Sequence, residues 1–299
     1  MKKVSIIIPT YNRLECLKKA VHATLYQSVD PEDYEVIVID DGSNDGTKEY
    51  LNEVKGIHNN FHFRSQQNGG PASARNLGLN ISIAPIIAFT DDDCIVGNHW
   101  IETILKAFED SELAAVQGST YSDASIITPF THQVENEEGN NTIPTCNAAY
   151  RKVRINEIGG FDTQFPFPHN EDADLAWRTS ERFKVAFNAE MRVYHPPREE
   201  RFEKIAKRMR MLVSEFSLYH KNPVVYQKYR AVSPWMTIYA IVFLNHIPRN
   251  FLRLRKYFFT PSLFLKGVAL HIIWWAHLVI LLPKFLWADV HFKTVYQSR

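Results

Sequence analysis

The sequence predicts an α/β fold with a mainly parallel central sheet, followed by a helical module that is both apolar and basic. Over the first 120 residues, β-branched runs alternate with helix-like stretches, the pattern left by right-handed βαβ units. Two of those runs end in carboxylates: Val36-Ile37-Val38-Ile39 leads into Asp40-Asp41-Gly42-Ser43, and Ile86-Ile87-Ala88-Phe89-Thr90 leads into Asp91-Asp92-Asp93. The third observation is a charge asymmetry hidden by the net charge of +1. Residues 1–195 carry 17 Lys and Arg against 28 Asp and Glu, whereas residues 196–299 carry 17 against 5.

The strands are expected at 3–8, 34–40, 61–65, 85–90 and 113–119, with helices at 13–27, 46–54, 71–81 and 98–110. The second helix follows the Ser43-Asn44-Asp45-Gly46 turn and the third follows Gly69-Gly70-Pro71, where Pro suits a first helical turn. Val4 to Ile8 is too short for a signal-peptide core and reads as the first strand. Residues 121–144 are polar and aperiodic and read as a mobile loop. A helix is expected over 199–220, where Phe202, Ile205, Met209, Leu212, Val213 and Phe216 recur at helical spacing. Three widely spaced cysteines without a C-x-x-C suggest neither a disulfide framework nor a zinc site, and a reducing, cytoplasmic setting is expected.

In an open α/β sheet, ligands gather at the carboxyl ends of strands, so five aspartates there could hold a divalent cation and a phosphorylated ligand. Clustered like charges are costly unless a cation compensates them, and hard carboxylate oxygens suit Mg²⁺ or Mn²⁺. Asp40-Asp41-Gly42-Ser43 reads either as a simple Asx turn or as a site for base or ribose. Asn68 to Asn76 is a glycine-rich turn entering a helix; its Arg75 either neutralises a nearby aspartate or helps hold a nucleotide. Glu171, Asp172 and Asp174 would complement a helix dipole, or one of them would act as a general base. His195, beside a strand end, reads as structural or as a metal ligand.

Taken in order, Val4 to Arg13, Asp40 to Ser43, Asn68 to Asn76, Asp91 to Asp93, Gly159-Gly160-Phe161-Asp162 and Glu171-Asp172 with Asp174-Leu175 and Arg178 closely resemble the family 2 glycosyltransferases. The resemblance covers roughly residues 3–195 and implies the GT-A, nucleotide-diphospho-sugar transferase fold. It implies that Pro9, Thr10 and Tyr11 border the nucleotide, that Asp41 contacts its base, and that Asn68 and Arg75 sit near base or ribose. Asp91 and Asp93 would be the D-x-D pair, with Asp92 between them; Asp93, Asp91 and His195 would be the candidate metal ligands, Mn²⁺ or Mg²⁺ the cofactor. Asp172 would be the catalytic base and Glu171 its neighbour, in an inverting transfer from a UDP, GDP or dTDP sugar. The Q-x-x-R-W motif of processive synthases is absent downstream of Asp172, so transfer of a single sugar is expected.

The division expected is a catalytic domain over 1–198 and a helical, membrane-associated module over 199–299. Two uncharged stretches of 17 residues, 232–248 and 267–283, bracket Arg249, Arg253, Arg255 and Lys256. A spanning helix needs about 20 residues, so both are marginal, and a hairpin would leave that basic segment outside, against the usual bias. Helices lying in the interface of the inner face of the cell membrane are favoured, with a single crossing by 267–283 or a helical subdomain as alternatives. Nucleic acid is disfavoured because the basic residues are interleaved with long apolar runs. The acceptor expected is a hydroxyl of a lipid-linked or cell-surface glycan; the alternatives are transfer to a polyprenyl phosphate and a non-catalytic, nucleotide-sugar-binding scaffold.

Overall fold

The computed structural model describes residues 1–123 and 128–297. Its strands are β1 Val4–Thr10, β2 Tyr34–Asp40, β3 Phe61–Ser65, β4 Ile86–Phe89, β5 Ile95–Val96, β6 Leu113–Tyr121, β7 Thr131–His132, β8 Ala148–Arg151, β9 Lys184–Tyr194 and β10 Arg198–Glu199. Helices α1 Leu14–Leu25, α2 Thr47–Ile57, α3 Gly70–Ile81, α4 Trp100–Ala107, α5 Lys152–Glu157 and α6 Glu171–Ser180 are interspersed among the first nine strands. The chain forms two compact units, the first from Met1–Asp123, Gln133–Gln164 and Glu171–Pro197, the second from the described residues of Ala124–His132, Phe165–Asn170 and Arg198–Arg299.

The first unit is built on one eight-stranded sheet in the order β3-β2-β1-β4-β8-β6-β9-β5. Strands β3, β2, β1 and β4 run parallel, with Val4 opposite both Tyr34 and Ile86, while β8 is antiparallel to β4 and β6. Every residue of β1 and β2 is buried, which explains their unbroken apolar runs: strands covered on both faces have no solvent side to mark with polar residues. The register sets Thr10 beside Asp40 and brings the carboxyl ends of β1, β2 and β4 together. Where α3 crosses β1, a Cβ on Gly78 would come within 2.5 Å of Ile7 Cγ2, so only glycine admits this approach.

Of the loop expected over 121–144, residues 124–127 lie outside the described residues, and much of the rest is pinned. Asn136 is buried and exchanges backbone hydrogen bonds with Thr120 (2.8 and 3.1 Å), while its Nδ2 donates to Gln117 Oε1 at 3.1 Å. Polar composition misleads here because these side-chain amides bond one another and the loop backbone instead of facing water.

The second unit holds β7 paired with β10 and α7 Phe202–Ala206, α8 Val213–Lys221, α9 Pro223–Arg230, α10 Ile247–Arg253, α11 Pro261–Ile280 and α12 Leu282–Gln297. The single helix expected over 199–220 is broken: a 3₁₀ segment, Arg208–Leu212, separates α7 from α8. Apolar spacing misses this because one tightened turn still buries Ile205, Met209, Val213 and Phe216. The stretch 232–248 contains a π-helical segment, Met236–His246, ahead of Pro248, whose missing N–H and ring are accommodated by wider turns. The stretch 267–283 is not one helix. Pro283 has no N–H to donate back to the Val279 carbonyl, and α11 stops at Ile280, after beginning six residues earlier than the apolar stretch, with α12 starting at Leu282. At 20 residues α11 is long and apolar enough to cross a membrane, and about a fifth of it is buried.

Candidate functional site

The β1–α1 and β2–α2 turns lock together at the carboxyl edge of the sheet. Asn12, in a left-handed conformation (φ 52°), donates its N–H to Ser43 Oγ at 2.9 Å and accepts the Asn44 N–H through Oδ1 at 2.9 Å. Asp40 closes its own turn by accepting the Ser43 N–H, so the Asx reading holds for this residue. Gly42 (φ 86°) lies where a Cβ would stand 3.3 Å from both the Asn68 nitrogen and the Gln66 carbonyl oxygen. Asp41 is buried and accepts the N–H groups of Gly69 and Gly70, each at 2.8 Å, and Gln66 Nε2 at 2.7 Å. Its carboxylate therefore shapes the glycine turn, with Asn68 exposed at the tip. Pro9 and Thr10 are buried at the end of β1, and Tyr11 projects outward, about half exposed.

The three aspartates after β4 take different partners. Asp91 Oδ1 accepts from Arg75 Nη2 at 2.9 Å. Asp92 is buried, accepting from Thr10 Oγ1 at 2.8 Å and Arg13 Nη1 at 3.0 Å, and burial raises its pKa. Asp93 Oδ2 accepts from the same Arg13 nitrogen at 2.9 Å, while its Oδ1 lies 3.6 Å from His195 Nε2 and 3.9 Å from Cys94 Sγ. The ligand atoms of Asp93, Cys94 and His195 all lie within 4.8 Å of one another, a separation that one small cation can bridge. His195 is buried at the end of β9, and burial lowers its pKa, which keeps the imidazole neutral as a ligand must be.

Helix α6 brings the second carboxylate group. Arg75, itself buried, reaches from α3 to Glu171 Oε1 at 3.2 Å through Nη1, so one guanidinium ties Asp91 to the start of α6. Asp172 is half-buried, and its pKa is pushed up to about 7, first by burial and then by the neighbouring Glu171. The Tyr150 hydroxyl, fully buried on β8, is pushed upward by burial and by Asp172. Arg178 braces α6 by pairing with Asp174 at 2.6 Å and donating to the Ile158 and Gly160 carbonyls, and Asn76 clamps Phe161 through paired hydrogen bonds at 2.8 and 2.9 Å.

Thr10, Asp92, Asp93 and His195 are thus joined in one set through Arg13, and Asp91, Arg75 and Glu171 in a second set that meets the first at the Asp91–Asp92 peptide, whereas Asp41 and Asn68 belong to the neighbouring glycine turn. Arg75 pairs with Asp91, as the first of its two alternatives expects. Arg13 and Cys94 were not singled out by the sequence. The only signals were a cation just past the first strand and a thiol abutting the acidic triplet, and both gain meaning once β1 and β4 are neighbours.

The sequence profile of Glycosyl transferase family 2 matches residues 5–170, just over half of the chain, and spans every one of these carboxylates from Asp40 to Asp93. The chain belongs to glycosyl transferase family 2. Among its family relatives, glycosyltransferase AglE of Haloferax volcanii is 26% identical over 250 residues, covering 79% of this chain and 80% of AglE. The poly(ribitol-phosphate) β-N-acetylglucosaminyltransferase TarP of Staphylococcus aureus is 40% identical over 106 residues, 35% of this chain and 32% of TarP. The mannosyltransferase PcManGT of Pyrobaculum calidifontis, solved with GDP-Man and Mn²⁺, superposes with a TM-score of 0.61 at 17% identity, over 98% of this chain and 87% of that one. TarS of S. aureus, solved with UDP-GlcNAc, gives 0.58 at 16%, over 99% and 91%. At these identities the structural likeness establishes the fold, which is GT-A.

Proposed function

We propose that this family 2 glycosyltransferase is an inverting, divalent-metal-dependent enzyme that moves one sugar from a nucleotide-diphosphate donor to a hydroxyl of a lipid-linked or cell-surface glycan. The observation that carries the reading is the Arg75 bridge, which joins Asp91 after β4 to Glu171, the neighbour of an Asp172 whose pKa is raised to about 7, where a general base is most effective. Asp172 accepts the proton of the acceptor hydroxyl as that oxygen forms its bond to the anomeric carbon on the face opposite the leaving group. The bond from that carbon to the diphosphate oxygen breaks in the same displacement, so configuration inverts without a covalent enzyme intermediate. Glu171, held by Arg75, keeps a second negative charge beside the base and sustains its basicity.

Pro9, Thr10 and Tyr11 border the nucleotide, Asp41 with Asn68 and the Gly69–Gly70 turn forms the base and ribose side, and Asp91 and Asp92 face ribose and diphosphate. Asp93 and His195, with Asp91 nearby, are the residues that would hold Mn²⁺ or Mg²⁺; the close approach of Asp93 and His195 fits such an ion. An ion held there would supply electrostatic stabilisation for a departing diphosphate. PcManGT, solved with Mn²⁺ and GDP-Man, and AglE and TarP, named as glycosyltransferases, support this reading.

The second unit is proposed to seat the enzyme on the inner face of the cell membrane. Leu265, Ile272 and Val279 recur seven residues apart on exposed positions of α11, Leu286 and Val290 are exposed four residues apart on α12, and Phe258 and Phe259 are exposed beside Arg253, Arg255 and Lys256. Apolar faces bury at the acyl boundary while basic side chains meet anionic headgroups.

Calorimetric titration of UDP, GDP and dTDP, with and without Mn²⁺, tests the donor site. One nucleotide is expected to bind in a metal-dependent manner, and binding is expected to vanish in Asp93→Ala. A folded protein that binds none of them, and consumes no nucleotide-sugar in the presence of membrane extract, would sink the reading.

A further inference from the structure

We propose that Cys94 is a third protein ligand to the divalent ion, alongside Asp93 and His195. The inference rests on the metal reading above and adds sulfur to its donor set. The two oxygens of Asp93 face different neighbours: Oδ2 accepts from Arg13 at 2.9 Å, and Oδ1 points toward His195 Nε2 at 3.6 Å and Cys94 Sγ at 3.9 Å. An ion about 2.1 Å from oxygen and nitrogen and about 2.3 Å from sulfur, in tetrahedral geometry, needs separations of roughly 3.4 Å between N and O and roughly 3.6 Å between S and O. The two separations made by Asp93 Oδ1 are therefore a few tenths of an ångström wider than a loaded site requires, and Cys94 Sγ and His195 Nε2 lie within 4.8 Å of each other.

The surroundings suit such a site. Cys94 and His195 are buried, and the turn that carries the thiol is fixed by the Cys94 N–H donating to the Asp91 carbonyl at 3.1 Å. Packing alone would explain a buried cysteine, but not its convergence with an imidazole nitrogen and a single carboxylate oxygen. Binding through sulfur displaces the thiol proton to solvent. A mixed O, N and S donor set is softer than the carboxylates alone, so it favours Zn²⁺ and Co²⁺ over Mg²⁺.

Cobalt titration of the full chain reads the ligand set directly by absorption. The wild type is expected to show visible d–d bands together with a near-ultraviolet thiolate-to-cobalt charge-transfer band, saturating together, with Mg²⁺ a poor competitor. Cys94→Ser is expected to lose the charge-transfer band and at least ~10-fold in cobalt affinity, while Cys16→Ser and Cys146→Ser keep both. Visible bands without charge transfer in the wild type would overturn the role of Cys94 and leave the metal reading standing. Charge transfer that survives in a folded Cys94→Ser would do the same. A wild type showing no cobalt absorption at all would overturn both. Should Cys94→Ser fail to fold, Cys16→Ser and Cys146→Ser that both keep the charge-transfer band still assign it to Cys94, and loss of the band in either would overturn the assignment.

Discussion

Arg75 Nη1 donates to Glu171 Oε1 at 3.2 Å across 96 residues of sequence, and the guanidinium's other terminal nitrogen holds Asp91 at 2.9 Å. Both Arg75 and Glu171 are buried, so removing the cation leaves an uncompensated charge in the interior. Arg75→Met is expected to cost about 3–5 kcal/mol, read as a lowered denaturation midpoint. In a cycle with Glu171→Gln, the double variant should recover part of that loss, with a coupling of about 1–3 kcal/mol. Strict additivity would show that the pair is not coupled.

Asp172 has a folded-state pKa raised from 3.8 to about 7, chiefly by burial. A base must be unprotonated, so kcat/KM is expected to climb as pH rises through the neutral range and to level off above it. Asp172→Asn should lower kcat about 10²- to 10⁴-fold with little change in donor KM. Full activity retained in this variant would point instead to an acceptor that is already anionic, such as a polyprenyl phosphate.

The same shift has a stability consequence of opposite sign. The folded chain binds the Asp172 proton more tightly than the unfolded chain, so its contribution is fully present below 3.8 and is lost as pH rises toward about 7. Asp172→Asn is therefore expected to raise the melting temperature at pH 8 while leaving it nearly unchanged at pH 4. Calorimetric scans at the two pH values check this, and equal shifts at both would refute it.

Gly118 marks a register shift between β6 and β9, and a Cβ there would stand 2.0 Å from the Met191 carbonyl oxygen and 2.5 Å from Asn147 Nδ2. Because that carbonyl also accepts from Asn147 at 2.8 Å, neither group can retreat alone. Gly118→Ala should destabilise the chain by at least about 3 kcal/mol. Gly56→Ala, in α2 with open space around the new methyl, should be neutral or stabilising by up to about 1 kcal/mol.

Flotation with vesicles tests the second unit. Replacing Arg253, Arg255 and Lys256 with Gln should weaken binding to anionic vesicles roughly 5-fold per charge, at about 1 kcal/mol each, and leave neutral vesicles unaffected. Changing exposed Phe258, Phe259 and Trp287 to Ser should weaken binding to both.

The sequence by itself determined the parallel half of the sheet and the places where its carboxylates emerge. Strands covered on both faces must be continuously apolar, so β1, β2 and β4 announce themselves, and an aspartate cluster directly after such a run can only lie at a strand end. Helical breaks were invisible for the converse reason: the apolar spacing of 199–220 survives one tightened turn, and that of 267–283 does not register Pro283 as a stop. The partner of each carboxylate was decided only by the tertiary structure. Arg13 meets Asp92 across 79 residues, Thr10 meets Asp92 across 82, and His195 reaches Asp93 from the far end of β9. Local spacing carries no information about such pairs, because they exist only after the order of strands has set β1 between β2 and β4 and closed β9 back toward the same edge.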